Sequence, residues 1–201
     1  MLKTICKNAA LTAAVLFSSA ASQAVTVNGF ANGGFEEGTA FAATNWSPAA
    51  MGYTISGYSH TGSRAMRLSS PAVNAAIGQQ NSIEDGGLVP LTPGDNPLFS
   101  FWITGEQGST GNVNYALRYL DDLGNILADS GSQQIGNGLS WNSWTQITYD
   151  LGVVPVGATT AFLEIVHAIG PIGTGPGGED WTAGTVIIDD VYLGVEAPSQ
   201  V

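Results

Sequence analysis

The chain is poor in cysteine, in lysine and in charge of either sign. Its one cysteine, Cys6, lies near the start. Beyond residue 24 there is none, so no disulfide staples the fold. An extracellular domain of this kind must be held by its core or by a metal. Both lysines, Lys3 and Lys7, also lie ahead of residue 24, which leaves Arg64, Arg67 and Arg118. Three arginines against 16 acids give a net charge of −13 beyond residue 24. That balance argues against nucleic acid and against anionic membrane surfaces as partners. Charged residues make up 10% of the chain, well below the usual quarter. Long surface helices would need more Lys and Glu than this, so the composition points to an all-β protein. A hydrophobic share of 44% excludes disorder.

Long apolar runs are also missing. Residues 9–17 form a short, mostly apolar stretch behind Lys3 and Lys7, and Ser22-Gln23-Ala24 offers small residues where a signal peptidase cuts. The pattern predicts a signal peptide over residues 1–24, of bacterial type, and a secreted, extracellular protein. A membrane span would need roughly 20 apolar residues. A single domain over residues 25–195 and a short tail over 196–201 are expected.

No segment carries a sustained 3.6-residue apolar period. Short alternating runs recur between clusters of Gly, Pro, Asn and Asp. Strands are expected over 51–58, 64–70, 73–83, 97–105, 113–120, 126–130, 144–151, 159–166 and 185–195. Asp121-Asp122-Leu123-Gly124-Asn125 reads as a hairpin connection. Longer loops are expected over 41–50, 131–143 and 170–184. This spacing of strands predicts a jelly-roll β-sandwich of two antiparallel sheets.

Catalytic signatures are absent. Beyond residue 24 there are two histidines, His60 beside a Thr-Gly turn that it helps to fix, and His167 at the end of an apolar strand. There is no nucleophile elbow, no His-Glu-x-x-His pair and no phosphate loop. Without lysine, a lyase base beside a charge-neutralising cation is hard to assemble. A non-catalytic protein is expected, with no catalytic residues assigned.

Three motifs carry a resemblance. They are Asn32-Gly33-Gly34-Phe35-Glu36, then His60-Thr61-Gly62-Ser63-Arg64-Ala65-Met66-Arg67-Leu68, and last Val186-Ile187-Ile188-Asp189-Asp190-Val191-Tyr192-Leu193. Thr92-Pro93-Gly94 leading into Leu98-Phe99-Ser100-Phe101-Trp102 adds a fourth. In order and spacing, residues 28–195 resemble the jelly-roll carbohydrate-binding modules of families 4, 9 and 22, within the galactose-binding-domain-like folds. The resemblance implies a structural calcium held by the carboxylates of Glu36 and Asp189, with backbone carbonyls completing the shell. Glu37 and Asp190 are weaker alternates. The alternation of the last strand adds that Asp189 shares its parity with Ile187, Val191 and Leu193. An ionised carboxylate on an apolar side needs a partner or a metal. Gly177-Gly178-Glu179-Asp180 reads as a solvated acidic loop.

The resemblance does not transfer sugar residues, which strand parity must suggest. Trp102 falls opposite the Phe99-Phe101-Ile103 row, and Arg118 and Asn114 fall opposite the Val113-Tyr115-Leu117-Tyr119 row. The expectation is that Trp102 and Arg118 share the non-core face of one sheet, with Asn114 and Gln146 supplying further hydrogen bonds to a polysaccharide. Trp46, Trp141 and Trp181 fall in loops. Two functions stay open: a secreted, calcium-stabilised carbohydrate-binding protein, or a structural or adhesive matrix or filament protein that assembles with itself.

Overall fold

A computed structural model describes residues 28–50, 53–70, 75–83, 91–106, 112–135, 139, 143–168 and 184–195. The expected signal peptide, the 170–183 part of the last long loop, Trp141, Trp181 and the tail lie outside them. In chain order the strands are β1 (Gly38–Thr39), β2 (Ala42–Ala43), β3 (Ser47–Ala50), β4 (Thr54–Ser56), β5 (Ala65–Ser70), β6 (Ala75–Ser82) and β7 (Leu98–Glu106). They continue with β8 (Asn112–Leu120), β9 (Ile126–Asp129), β10 (Gln133–Ile135), β11 (Thr145–Asp150), β12 (Thr160–Ala168) and β13 (Gly184–Gly194). Each strand expected from the alternation appears at least in part: residues 51–52 and 73–74 lie outside the described ones, and the expected 51–58 strand is seen as the short β4. Residues 41–50 and 131–143, expected as loops, also contain β2, β3 and β10. Their runs are too short, or too poor in alternating apolar residues, to show a period of two.

Two antiparallel sheets face each other. One has the order β11-β7-β13-β5-β4. The other has the order β10-β8-β12-β6-β3, with β9 also pairing β8. Between them lies one core. Phe99, Phe101 and Ile103 of β7 come from the first sheet, and Val113, Tyr115, Leu117 and Tyr119 of β8 and Leu163 and Ile165 of β12 come from the second. The Tyr115 ring sits 5.7 Å from Phe99 and 5.5 Å from Phe101, bridging the layers. The fold is the expected all-β sandwich.

The chain's first described segment is strapped to its last strand. Asn28 accepts from the Leu193 amide at 3.0 Å and donates to the Val191 carbonyl. Val191 N donates to Gly33 O at 3.0 Å. A Cβ on Gly33 would run into the Val191 carbonyl oxygen, so this close approach needs glycine. Phe35 is fully buried, while Asn32, held at φ 54°, ties the carbonyls of Glu37 and Thr44 through its amide. The opening motif is therefore a structural lock.

One expectation about β13 is corrected. Its pairing with β7 shifts register between Asp189 and Tyr192, and Asp190 takes φ 49°. Val186 and Ile188 face the core before this bulge, and Val191 and Leu193 face it after. Asp189 stands opposite Trp102, on the outer face of the sheet. It does not share a side with Val191 and Leu193, because an extra residue flips the alternation.

Candidate functional site

The bulge aims two carboxylates at one loop. Asp189 is fully buried, covered by the segment that follows β4. Its Oδ2 accepts the amides of His60 at 2.8 Å and Thr61 at 3.1 Å, and its Oδ1 accepts the Asp190 amide at 2.8 Å. Asp190 binds the His60 ring Nδ1 at 2.7 Å and accepts from the Thr61 hydroxyl at 2.6 Å. From the other end of the chain, Glu36 accepts the amides of Ser63 at 2.8 Å and Arg64 at 3.0 Å, and the Ser63 hydroxyl at 2.8 Å. Gly62, at φ 61°, lies so close over Glu36 that a Cβ would strike its carboxylate. Burial pushes the Asp189 carboxyl up to about 6 against the opposing pull of the amides. The Ser63 amide and hydroxyl lead in holding the Glu36 carboxyl below its usual value.

Glu36 and Asp189 thus meet on one loop, as the resemblance implies. As arranged, they do not form a calcium shell. Every carboxylate oxygen of Glu36, Asp189 and Asp190 is turned onto an N–H or O–H donor or the His60 ring. A cation needs oxygens converging on it, whereas amide hydrogens present it with positive ends. Among the described residues no group of three or more His, Asp or Glu side chains is gathered to hold a metal. Glu37 is exposed and accepts no part of this cluster, its backbone being tied to Asn32.

The same loop lies over part of the outer face of the five-stranded sheet, sealing Asp189 and leaving Trp102 half-buried and Gln146 exposed. The His60 ring stacks on Trp102, with centroids 4.0 Å apart and planes 16° apart. Tyr58 stacks on Trp144 at 5.6 Å, and the Trp144 edge meets His60. Gln146 stands directly beside Trp102 across the β11–β7 pairing. Trp46, placed in a loop by the sequence, is buried against Phe30 and Phe35.

Arg118 and Asn114 are elsewhere. Both lie on β8 in the six-stranded sheet, so Trp102 and Arg118 do not share a face but occupy opposite outer faces of the sandwich. Parity within a strand says which side is not core; it does not say which sheet the strand joins.

The outer face of the six-stranded sheet is open and grooved. Arg118, Phe162 and Gln80 stand side by side across β8, β12 and β6. The Phe162 ring lies over Gly78, where a Cβ would press to 3.4 Å of the ring. Phe162 and Gln80 line two adjoining cavities, of about 330 and 420 Å³. Arg118 and Asp129 border the first, and Asn45, Ser47 and Glu164 the second. Arg118 Nε meets Asp129 Oδ2 at 3.2 Å, and Nη1 meets Glu164 Oε2 at 3.5 Å. Below this surface, buried Gln79 donates to the carbonyls of Ala31 and Asn45 at 2.9 Å, fixing the groove wall. A ring flanked by planar polar side chains suits a sugar, whose C–H face packs on the ring while its hydroxyls take hydrogen bonds. The sequence marked Arg118 and Asn114 as off-core but on a face shared with Trp102, and Phe162 was missed, although it sits opposite Ala161, Leu163 and Ile165 in the alternation of β12.

No family model matches the chain, and no curated protein matches it. Solved structures do. The enzymatically active domain of bacteriophage CBA120 tailspike protein 4 is similar at TM-score 0.61 and 22% identity, over 84% of this chain and 21% of that one. The carbohydrate-binding module TmCBM61, in complex with β-1,4-galactotriose, is similar at TM-score 0.53 and 18% identity, over 84% of this chain and 99% of that one. An arabinose-bound GH51 α-L-arabinofuranosidase is similar at TM-score 0.52 and 17% identity, over 88% of this chain and 27% of that one. The chain therefore spans about a fifth of the tailspike and about a quarter of the arabinofuranosidase, but nearly the whole of the binding module. These likenesses show the fold alone, a β-sandwich that the binding module TmCBM61 shares.

Proposed function

We propose that this chain is a secreted, non-catalytic carbohydrate-binding protein that holds polysaccharide in the groove on its six-stranded sheet. The observation that carries this is the Phe162 ring, set between two cavities on an open face and bordered by Arg118, Gln80 and Glu164. The sandwich shared with a module bound to β-1,4-galactotriose supports the reading. In it, Phe162 is the stacking platform, and Arg118, Gln80 and Glu164 orient the hydroxyls, with Asn114 further along β8. The test is affinity electrophoresis of the purified protein through gels containing single polysaccharides. At least one polymer should retard the native protein, and Phe162→Ala should weaken that retardation at least tenfold. No retardation by any glycan would overturn it.

The alternative role, assembly into a matrix or filament, draws on one observation. Leu123, Ile126, Val153 and Val156 are large aliphatics left 56–90% exposed. Analytical ultracentrifugation separates the two: a concentration-dependent oligomer would favour assembly, and a monomer that binds glycan favours the groove.

A further inference from the structure

We infer that the groove takes uncharged polysaccharide and rejects acidic polysaccharide, with Glu164 and Asp129 enforcing the choice through Arg118. This rests on the groove being the glycan site. Acidic sugars are ordinarily held by guanidinium groups, which pair a carboxylate or sulfate through fixed, planar donors. Arg118 is the cation bordering this groove, and two of the protein's own carboxylates already engage it, at 3.2 and 3.5 Å.

The local count is one positive group against two negative ones, so an incoming uronate meets a net negative surface. To bind, it would have to displace Asp129 or Glu164 from Arg118 and leave that carboxylate without its cation. An uncharged sugar needs no such exchange. Its hydroxyls donate to the Glu164 carboxylate and to the Gln80 carbonyl oxygen, while its apolar face rests on Phe162.

The rest of the molecule offers no compensation. Beyond residue 24 there are three arginines against 16 acids. Arg64 spends its head group on the carbonyls of Glu36, Gly38 and Thr39 at 2.8–3.0 Å. Arg67 lies on β5, in the other sheet. The summed field therefore repels a polyanion before contact, most strongly at low salt. Because Phe162 and Gln80 line both cavities, a chain crossing the ring places one sugar on each side of it. The ligand class is a neutral glycan of at least two units.

Affinity electrophoresis against neutral polymers (galactan, xylan and mixed-linkage glucan) and acidic ones (polygalacturonate and alginate), at low and high salt, tests this. Native protein should be retarded by at least one neutral polymer and by neither acidic one. The double variant Asp129→Asn, Glu164→Gln frees Arg118. Its ratio of acidic to neutral affinity should rise at least tenfold at low salt, and adding Arg118→Gln should reverse the rise. Thermal melts confirm that each variant is folded. Native protein that binds polygalacturonate or alginate as tightly as any neutral polymer would overturn the inference while leaving glycan binding in place. A folded double variant with unchanged selectivity would overturn the role given to Asp129 and Glu164. Failure to bind every polymer overturns the parent reading instead.

Discussion

The two outer faces of this sandwich are treated in opposite ways. On the five-stranded sheet, Trp102 lies under the His60 ring and Asp189 is sealed beneath the His60-Thr61 amides. On the six-stranded sheet, Phe162 and Arg118, half-buried as Trp102 is, border two cavities instead of lying under a loop. Both faces combine an aromatic ring, carboxylates and a planar polar group. They differ in cover. One face has surrendered its hydrogen-bonding capacity to its own chain and become a fastener between the first and last segments. The other pairs Arg118 with Asp129 and Glu164 on the same face and leaves Gln80 exposed. A list of aromatic and polar residues off the core therefore does not identify a binding face; what decides is whether the chain folds back over it.

The largest effect that would sharpen this contrast is on stability. Asp189→Ala removes the acceptor of three amide bonds, from His60, Thr61 and Asp190, each contributing about 1.5–3 kcal/mol and together offset in part by the cost of burying the carboxylate. Denaturant unfolding should show a loss of about 3 kcal/mol, with glycan affinity retained wherever the variant remains folded. A folded variant that no longer binds glycan would move the working face to the five-stranded sheet.

Next come the two rings. Trp102→Ala removes the surface on which His60 stacks and should cost about 2 kcal/mol, less than a fully buried aromatic. Phe162→Ala leaves only open surface behind and should cost less than about 1 kcal/mol. Equal losses in urea unfolding would erase the distinction between covered and open face.

A smaller effect concerns acid. His167 is fully buried in the core layer of the six-stranded sheet, and burial holds its imidazole below the ordinary value. The neutral form is favoured in the folded state, so its contribution to stability is complete above the unfolded value near 6.5. It is lost as pH falls through the lower folded value. Asp189, its carboxyl pushed up to about 6, acts with the opposite sign over the same range, so the comparison with His167→Leu isolates the histidine. Between pH 7 and pH 5 the variant should lose less stability, or gain more, than native protein. Parallel slopes would show that His167 is not the titrating group.

The smallest expected effect is calcium's. Because the carboxylates of Glu36, Asp189 and Asp190 are satisfied by donors of the 60–64 loop, millimolar calcium or chelator should leave the melting temperature within a degree. A rise of several degrees with calcium would mean that the loop opens its donors and the fastener is metal-held.

Much of the fold was legible in the sequence because apolar alternation survives in long strands. Phe99, Phe101 and Ile103, like Tyr115, Leu117 and Tyr119, alternate and bury as expected. The motif Asn32–Glu36 was readable as important, and the structure explains why: each position makes a different contact with β13 or with the loops beside it. Two things were not legible. The bulge at Asp189 and Asp190 reverses the alternation without any glycine or proline to mark it. The assignment of β7 and β8 to different sheets is set by long-range pairing, which no local pattern records. Hence Trp102 with Gln146, and Arg118 with Asn114, were each readable as off-core, but not as belonging to opposite faces.

On the proposed reading, the six-stranded face binds glycan and the five-stranded face fastens the ends of the chain. The most direct test of that reading is calorimetric titration of one neutral oligosaccharide, chosen from the polymer that retards the native protein, into Phe162→Ala and Trp102→Ala side by side. At least a tenfold weakening, about 1.4 kcal/mol, is expected for Phe162→Ala, and less than a twofold change for Trp102→Ala. Tight binding by Phe162→Ala together with lost binding by a folded Trp102→Ala would contradict it.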